Sequence, residues 1–279
     1  MSDLHLEVGQ QYATFRIIPR AAYLILAGDI GRLADYEAFR NFLRCQCEQF
    51  AQVYLVLGNH EFFGGSRREG IELVEKLQQE KGLKDKLVIM NRRRVDLDDV
   101  TLLGCTLQSY IPPEAEQIVR LKINDFRCIK DWTVTDHIAE HVKDVKWLTD
   151  EIASVRRAET CSKRKIIVIT HHAPSTKGTS KPSQAENPWS SAFATDLLER
   201  GESSYLTDVQ WWIFGHTHHS IESTRGTVKL VSNQRGYVFS EKDEFRLRIP
   251  ANFVSRMHRV WGSTRKQQNS FNAEKVIEI

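Results

Sequence analysis

Residue types that bind metal ions come directly after several apolar segments of this 279-residue chain. Most of these segments end in a glycine, which lets the backbone turn sharply beside a site. The motifs are Gly28-Asp29, Gly58-Asn59-His60-Glu61, His171-His172 and Gly215-His216-Thr217-His218, and an Asp-x-His pair stands at Asp3 and His5. Oxygen and nitrogen ligands without thiolates suit Mn, Fe or Zn and argue against a structural zinc site.

Such a ligand set is able to hold two divalent cations side by side. A single carboxylate can bridge two metals about 3.5–4 Å apart, which is the spacing of two-metal phosphoester sites. Two cations at this distance lower the pKa of a shared water, so that hydroxide forms at neutral pH and attacks phosphorus in line with the leaving oxygen. The residue types are therefore consistent with hydrolytic chemistry on a phosphate ester.

The apolar segments that precede the motifs read as buried strands separated by helices. Continuous apolar runs suit a sheet covered on both faces, and alternating strands and helices indicate an α/β fold. Ligands bind outside the carboxyl ends of strands in open α/β sheets, so we expect the motifs to meet at one edge. The predicted strands are 23–27, 53–57, 87–90, 100–107, 166–170, 209–214 and 228–232, and the predicted helices are 33–50, 66–81 and 136–153.

The ordered motifs, taken together over roughly residues 2–240, resemble those of the calcineurin-like metallophosphoesterase superfamily. The resemblance implies an αββα sandwich, in which two mixed β-sheets are flanked by helices. It also implies a dinuclear centre, and His60 as the catalytic acid that protonates the leaving group. In this pattern one metal is held by Asp3, His5, Asp29 and His218, and the other by Asp29, Asn59, His171 and His216, with Asp29 bridging.

Other residues near the motifs have open roles. His60 has a second interpretation, in which it only orients Asn59. Glu61 either orients a neighbour or ends its turn, and His172 either contacts phosphate or packs. Arg127 follows Asn124-Asp125 and either binds phosphate or forms a surface ion pair. Arg235 and Tyr237 are possible substrate-binding residues after the last predicted strand, with a simple turn as the alternative.

Two features depart from the pattern. A ligand pair such as Asp3 and His5 normally follows a buried strand of about five apolar residues. That strand is missing here, so either the chain is shortened or the sheet lacks a strand. We also expect the basic stretch 246–270 to be an inserted loop in a single phosphoesterase domain covering residues 1–279.

The leading prediction is a metal-dependent hydrolase of a phosphomonoester or phosphodiester. The alternatives are a cyclic-nucleotide or other nucleotide phosphodiesterase, and a non-catalytic binding or scaffold protein on the same fold.

A formal net charge of +3 and the absence of interleaved aromatic and basic residues make nucleic acid an unlikely partner, so a small phosphorylated substrate is expected. No apolar stretch is long enough to span a membrane, and five scattered cysteines without a CxxC pair favour a reducing, cytoplasmic location. The oligomeric state is left open.

Overall fold

Alternating strands and helices make up most of the chain in a computed structural model that describes residues 1–158, 164–198, 206–239 and 271–279. The strands are β1 (Tyr23–Ala27), β2 (Gln52–Val56), β3 (Leu87–Ile89), β4 (Arg93–Asp96), β5 (Val100–Cys105), β6 (Lys165–Thr170), β7 (Trp211–Phe214), β8 (Glu222–Arg225) and β9 (Val228–Ser232). The α-helices are α1 (Tyr36–Gln49), α2 (Arg67–Gln79), α3 (Glu116–Lys122), α4 (Asp125–Cys128) and α5 (Val134–Ala158). All of the predicted strands and helices are confirmed, with small shifts at their ends.

The strands form two sheets. The smaller sheet has the order β1-β2-β3, and its strands are parallel. The larger sheet has the order β4-β5-β6-β7-β9-β8 and is mixed, because β4 and β8 pair antiparallel with their neighbours. The parallel register of β6 and β7, with Ile167 beside Trp211, brings the carboxyl ends of both strands to the same edge.

Three apolar layers hold the sheets and helices together. The inner faces of the two sheets pack on each other through residues such as Ile25, Tyr54, Leu102 and Ile167. On the outer face of the smaller sheet, α1 and α2 bury side chains against β1 and β2. On the outer face of the larger sheet, α5 packs against β5, β6 and β7. The order helix, sheet, sheet, helix is the predicted αββα sandwich.

The N-terminal segment (residues 1–6) holds Asp3 and His5 in place without a preceding strand. The backbone N–H groups of Asp3 and His5 donate to the carbonyls of Gly28 and Asp29, both at 3.0 Å. On the other side, the N–H of Gly236 donates to the carbonyl of Asp3. Backbone hydrogen bonds on both sides therefore fix the segment across the ends of the two sheets.

An apolar groove of about 350 Å³ lies beside β1. It is lined by side chains of both sheets and of the segment 271–279, including Tyr23, Ile25, Trp211 and Ile277. Ile277 also packs against the layer between the sheets.

Two further expectations concern the chain as a whole. The basic stretch 246–270 lies outside the described residues, and its assignment as an inserted loop stays a prediction. Among the helices in the described ranges, none combines the length and the apolar character that crossing a bilayer requires.

Candidate metal centre

The carboxyl ends of four parallel strands meet at one edge of the molecule and carry the predicted ligands. Gly28-Asp29 follows β1, Asn59 and His60 follow β2, His171 follows β6, and the pair His216 and His218 follows β7. All of these side chains are buried except that of His60, which is partly exposed. The predicted meeting of the motifs at one sheet edge is therefore confirmed.

The ligand atoms fall into two groups. In one group, His5 Nε2 lies 2.9 Å from His218 Nε2, and His218 Nε2 lies 3.4 Å from Asp3 Oδ1. In the other group, His171 Nε2 lies 3.1 Å from both Asn59 Oδ1 and His216 Nδ1. Lone pairs of neutral imidazoles do not bond to one another, so such convergence is typical of ligand atoms arranged around a cation.

Asp29 lies between the two groups. Its Oδ2 is 3.8 Å from His5 Nε2, and its Oδ1 is 3.3 Å from His171 Nε2. Asp29 Oδ1 also accepts a hydrogen bond of 2.9 Å from the backbone N–H of His60. Each carboxylate oxygen thus faces a different group of ligands, which is the arrangement that a bridging carboxylate requires.

The backbone at these positions is strained. Asp3, His5, Asp29, His216 and His218 all have φ between 46° and 70°, a region that non-glycine residues rarely adopt. Strain of about 1–3 kcal/mol per residue persists only where the surrounding structure imposes it, and it concentrates at functional sites. Here the five strained positions all belong to the two groups of converging side chains.

Two buried carboxylates orient the ligands from behind. Glu61 accepts backbone N–H bonds from Gly58 at 2.6 Å and Asp29 at 3.0 Å, and so ties the loops after β1 and β2 together. Asp125 accepts a 2.8 Å bond from the Asn59 amide nitrogen, which turns Asn59 Oδ1 toward His171. Glu61 therefore orients neighbours, as one of its two predicted roles required. Asp125 lies in the segment that the sequence analysis noted before Arg127, but it was given no role of its own.

Hydrogen bonds also fix which imidazole nitrogen faces the site. His171 Nδ1 donates to the carbonyl of Ala27 at 3.0 Å, so Nε2 is the nitrogen that faces Asn59 and Asp29. Such partners set the tautomer of a metal-binding histidine. The equivalent partner of His5 Nδ1 is the Glu7 carboxylate, at 3.3 Å.

The electrostatics differ among the ligands. Burial lowers the pKa of His171, but the nearby Asp29 carboxylate outweighs burial and raises the pKa to about 10, so this ring must give up a proton when it binds a cation. Burial lowers the pKa values of His216 and His218 well below the ordinary value, so both are neutral. Burial opposes ionisation of Asp29, but the nearby His171 and His60 hold its pKa well below the usual range. Neutral imidazoles and an ionised carboxylate are the forms that coordinate cations.

His60 stands beside the ligands and is held by two hydrogen bonds. Its Nδ1 donates to Glu7 Oε1 at 2.8 Å, and its Nε2 lies 3.0 Å from the Tyr237 hydroxyl. Burial lowers its pKa, but Asp29 and Glu7 outweigh this effect and raise the pKa to about 9. Glu7 escaped the sequence analysis, although it extends the alternate spacing of Asp3 and His5 by one step.

A small cavity of about 40 Å³ opens beside the ligands. By volume it has room for about three water molecules. Its inner wall includes Asp29, Asn59, His60, His216 and His218, and its outer wall includes Phe63, Lys122, Phe193 and Tyr237. The space fits a small tetrahedral group beside the ligands, while anything larger must lie at the outer wall.

Two of the predicted substrate-binding residues lie elsewhere. The Arg235 guanidinium donates to the carbonyl of Leu4 and to Gln11 Oε1, and it stacks on Phe15. It therefore holds the N-terminal region and does not line the cavity. His172 is fully buried behind His216, with ring centroids 4.1 Å apart, and its ring nitrogens have no hydrogen-bond partner within the described ranges.

The structure also distinguishes between the two interpretations given for Tyr237 and for Arg127. Tyr237 lines the cavity, whereas Arg127 is exposed and donates to Asn124 Oδ1 and to the carbonyl of Leu121. No carboxylate pairs with Arg127 in the described part of the chain, so the predicted ion pair is replaced by hydrogen bonds within its own loop.

The donor set fits divalent cations. Carboxylate, amide oxygen and imidazole ligands converge, and Asp3, His5 and His218 bring ligand atoms within 4.8 Å of one another, as do Asp29, His171 and His216. Oxygen and nitrogen donors of this kind suit Mn, Fe or Zn.

Comparison with known proteins gives the class of this chain. Residues 1–220 match the family model described as calcineurin-like phosphoesterase. The chain belongs to this family of metal-dependent phosphoester hydrolases, as the motifs predicted.

Individual relatives are distant. An uncharacterized protein of Acanthamoeba polyphaga mimivirus is 26% identical over 224 residues, which cover 77% of this chain and 78% of that protein. The crystal structure of the phosphopantetheinyl hydrolase PptH from Mycobacterium tuberculosis superposes with a TM-score of 0.59 at 17% identity, covering 88% of this chain and 90% of that one. A putative 5'-nucleotidase from Staphylococcus aureus gives a TM-score of 0.48 at 15% identity, covering 85% of this chain and 48% of its own. The likeness to PptH shows a shared fold.

Proposed function

We propose that this chain hydrolyses a small phosphate ester with two divalent cations, one held by Asp3, His5 and His218 and the other by Asn59, His171 and His216. The observation that carries the proposal is the position of Asp29, whose two carboxylate oxygens face the two ligand groups separately. When bound, such a pair of cations generates hydroxide at neutral pH and neutralises charge on the phosphoryl oxygens.

The chain's own residues supply the rest of the chemistry. The small cavity holds the phosphoryl group beside Asp29 and Asn59. His60 is fixed by Glu7 with its Nε2 toward the cavity side and donates a proton to the leaving oxygen. The Tyr237 hydroxyl, at 3.0 Å from that nitrogen, stands where the leaving group must approach. This supports general-acid catalysis by His60, in preference to a role in orienting Asn59, which Asp125 already performs.

The aromatic side chains of the outer wall favour a leaving group that carries a planar ring, such as the base of a nucleotide. A nucleotide phosphodiesterase is therefore the second candidate function. Phe63 and Phe193 flank the cavity, and each stacks beside a site histidine, at centroid distances of 4.1 Å from His60 and 4.9 Å from His216. Lys122 is the one lysine or arginine among the described residues of the wall, which supports a small anionic substrate over a nucleic acid. The complete ligand set argues against a purely non-catalytic scaffold.

The test is hydrolysis of p-nitrophenyl phosphate and bis-p-nitrophenyl phosphate by metal-stripped protein reloaded with Mn²⁺. We expect activity that requires the metal and falls at least about a thousandfold in Asp29→Asn, because the bridging charge is lost. Asp99→Asn is the matched control, since Asp99 is exposed and pairs with Lys165 far from the ligands. A folded wild-type protein that hydrolyses neither ester would contradict the proposal, and the preferred ester separates monoesterase from diesterase.

A further inference from the structure

One carboxylate, that of Glu7, contacts two histidines of the site at once. Its Oε1 lies 2.8 Å from His60 Nδ1 and 3.3 Å from His5 Nδ1. Glu7 is only 7% exposed, and the backbone on either side is fixed by bonds from Leu6 to Ile30 and from Val8 to His5. The geometry places a shared acceptor between a predicted metal ligand and the predicted proton donor.

The shared acceptor dictates the tautomer of both rings. An ionised carboxylate only accepts hydrogen bonds, so both Nδ1 atoms carry protons. His5 is then left with a bare Nε2, which points at His218 Nε2 and Asp29 Oδ2 at 2.9 and 3.8 Å. His60 is left with Nε2 as the nitrogen that faces the Tyr237 hydroxyl and the cavity.

A contribution to fold stability does not explain why the Glu7 carboxylate is buried at this position. Glu7 Oε2 is buried and has no hydrogen-bond partner among the described residues. Leaving such an oxygen unsatisfied destabilises the fold. In the described ranges Glu7 pairs with His5 and His60, and it forms no ion pair there with a lysine or an arginine.

We propose that Glu7 is a positioning residue that serves both halves of the site, holding His5 as a metal ligand and His60 as the proton donor. The proposal rests on the proposed function. In the reaction, the attacking hydroxide forms a new bond to phosphorus, and the bond to the leaving oxygen breaks with both electrons staying on that oxygen. His60 Nε2 gives its proton to that oxygen, and the ring remains as a neutral imidazole that keeps its Nδ1 proton, hydrogen-bonded to Glu7 Oε1.

The leaving group provides the test, because a poor leaving group depends on protonation far more than a good one. In Glu7→Gln, we expect kcat for phenyl phosphate to fall about 100-fold and kcat for p-nitrophenyl phosphate to fall only a few-fold, with little change in KM. His60→Gln gives the same pattern. At saturating Mn²⁺, where the weaker metal binding of Glu7→Gln has no effect, the double variant is no worse than His60→Gln because the two residues act as a unit in proton transfer. Glu72→Gln, at an exposed position on α2, is the control.

Two readouts are independent of turnover. Nitrogen-15 NMR of the histidine rings in the metal-free wild-type protein is expected to show Nδ1–H for both His5 and His60, and this needs no variant. Calorimetric titration with Mn²⁺ is expected to show about tenfold weaker binding to Glu7→Gln, since partners of a metal-binding histidine contribute about 10–100-fold in affinity.

An equal loss on both esters, an unchanged Mn²⁺ affinity, or a bare Nδ1 on either ring would overturn the proposal. A wild-type protein inactive on every ester, with Nδ1–H present on both rings and weakened metal binding in Glu7→Gln, would instead overturn the proposed hydrolysis and leave the positioning of His5 by Glu7 supported.

Discussion

At the scale of single residues, the site depends on backbone positions that leave room for the ligands. Gly58 lies in the loop between β2 and Asn59. A Cβ atom at this position would lie 2.2 Å from Asp29 Oδ1 and 2.8 Å from His171 Nε2. Real Cβ atoms do not approach other atoms so closely, so a side chain at residue 58 must displace the Asp29 carboxylate. The glycine before Asn59 is therefore part of the ligand geometry.

Gly58→Ala is expected to weaken Mn²⁺ binding at least about tenfold while the protein stays folded, because the substitution moves ligands by a fraction of an ångström. Calorimetry measures the affinity, and circular dichroism monitors the fold. Gly65→Ala is the matched control, since a Cβ there meets only Glu69 Oε2 at 3.4 Å, an ordinary contact distance. Equal affinities in the two variants would show that Gly58 leaves Asp29 undisturbed.

At the scale of elements, the order and type of the buried elements were readable from the sequence because their signals are strong. Continuous apolar runs predicted β1, β2 and β6, and helical spacing of apolar residues predicted α5, although the helix extends beyond the predicted ends on both sides. The strands that were missed, β4 and β8, are edge strands whose residues are mostly exposed or half-buried, so they carry no apolar run.

Most of the site residues were also predictable from the sequence, because they too have a strong local signal. The ligand types stand beside strand ends, and the strands fix where those ends meet. Glu7 and Asp125 were not recognised, because their contacts to His60 and Asn59 join residues 53 and 66 positions apart. Such contacts depend on tertiary packing and leave no local pattern. Arg235 was misplaced because a guanidinium near a site suits a structural role as well as an anion-binding one.

The start of α2 offers a test at this scale. Ser66 caps the helix by accepting from the N–H of Glu69, and the Glu69 side chain accepts from the N–H of Ser66. Ser66→Ala is expected to lower the free energy of unfolding by about 1 kcal/mol, since one helix N–H loses its partner. Urea denaturation measures the change. Ser66→Asp retains a capping oxygen and is expected to stay near the wild-type value; a loss as large as that of Ser66→Ala would argue against the capping role.

At the scale of the whole molecule, buried histidines behind the site link stability to pH. His137 on α5 lies 1% exposed, its Nε2 is 3.2 Å from Ser109 Oγ, and burial together with the nearby His141 lowers its pKa to about 3. The folded protein therefore keeps His137 neutral at pH values where the unfolded chain, with a pKa near 6.5, takes up a proton. Stability must fall as the pH falls from about 6.5 toward 3.

Between pH 6.5 and 4.5 this one group is expected to remove about 2 kcal/mol from the free energy of unfolding. His137→Gln cannot take up that proton, so its stability should decline by about 2 kcal/mol less than the wild type over the same range. Urea denaturation of metal-stripped protein at the two pH values measures both slopes. Parallel declines in the two proteins would show that His137 does not contribute to the acid sensitivity.

The central claim is that Asp29 joins two metal sites in one centre. The measurement that tests it most directly is anomalous diffraction from crystals of the Mn²⁺-loaded protein. We expect two peaks about 3.5–4 Å apart on either side of the Asp29 carboxylate, one beside His5 and His218 and the other beside Asn59 and His171. A single peak, or two peaks that do not share Asp29, would contradict the account.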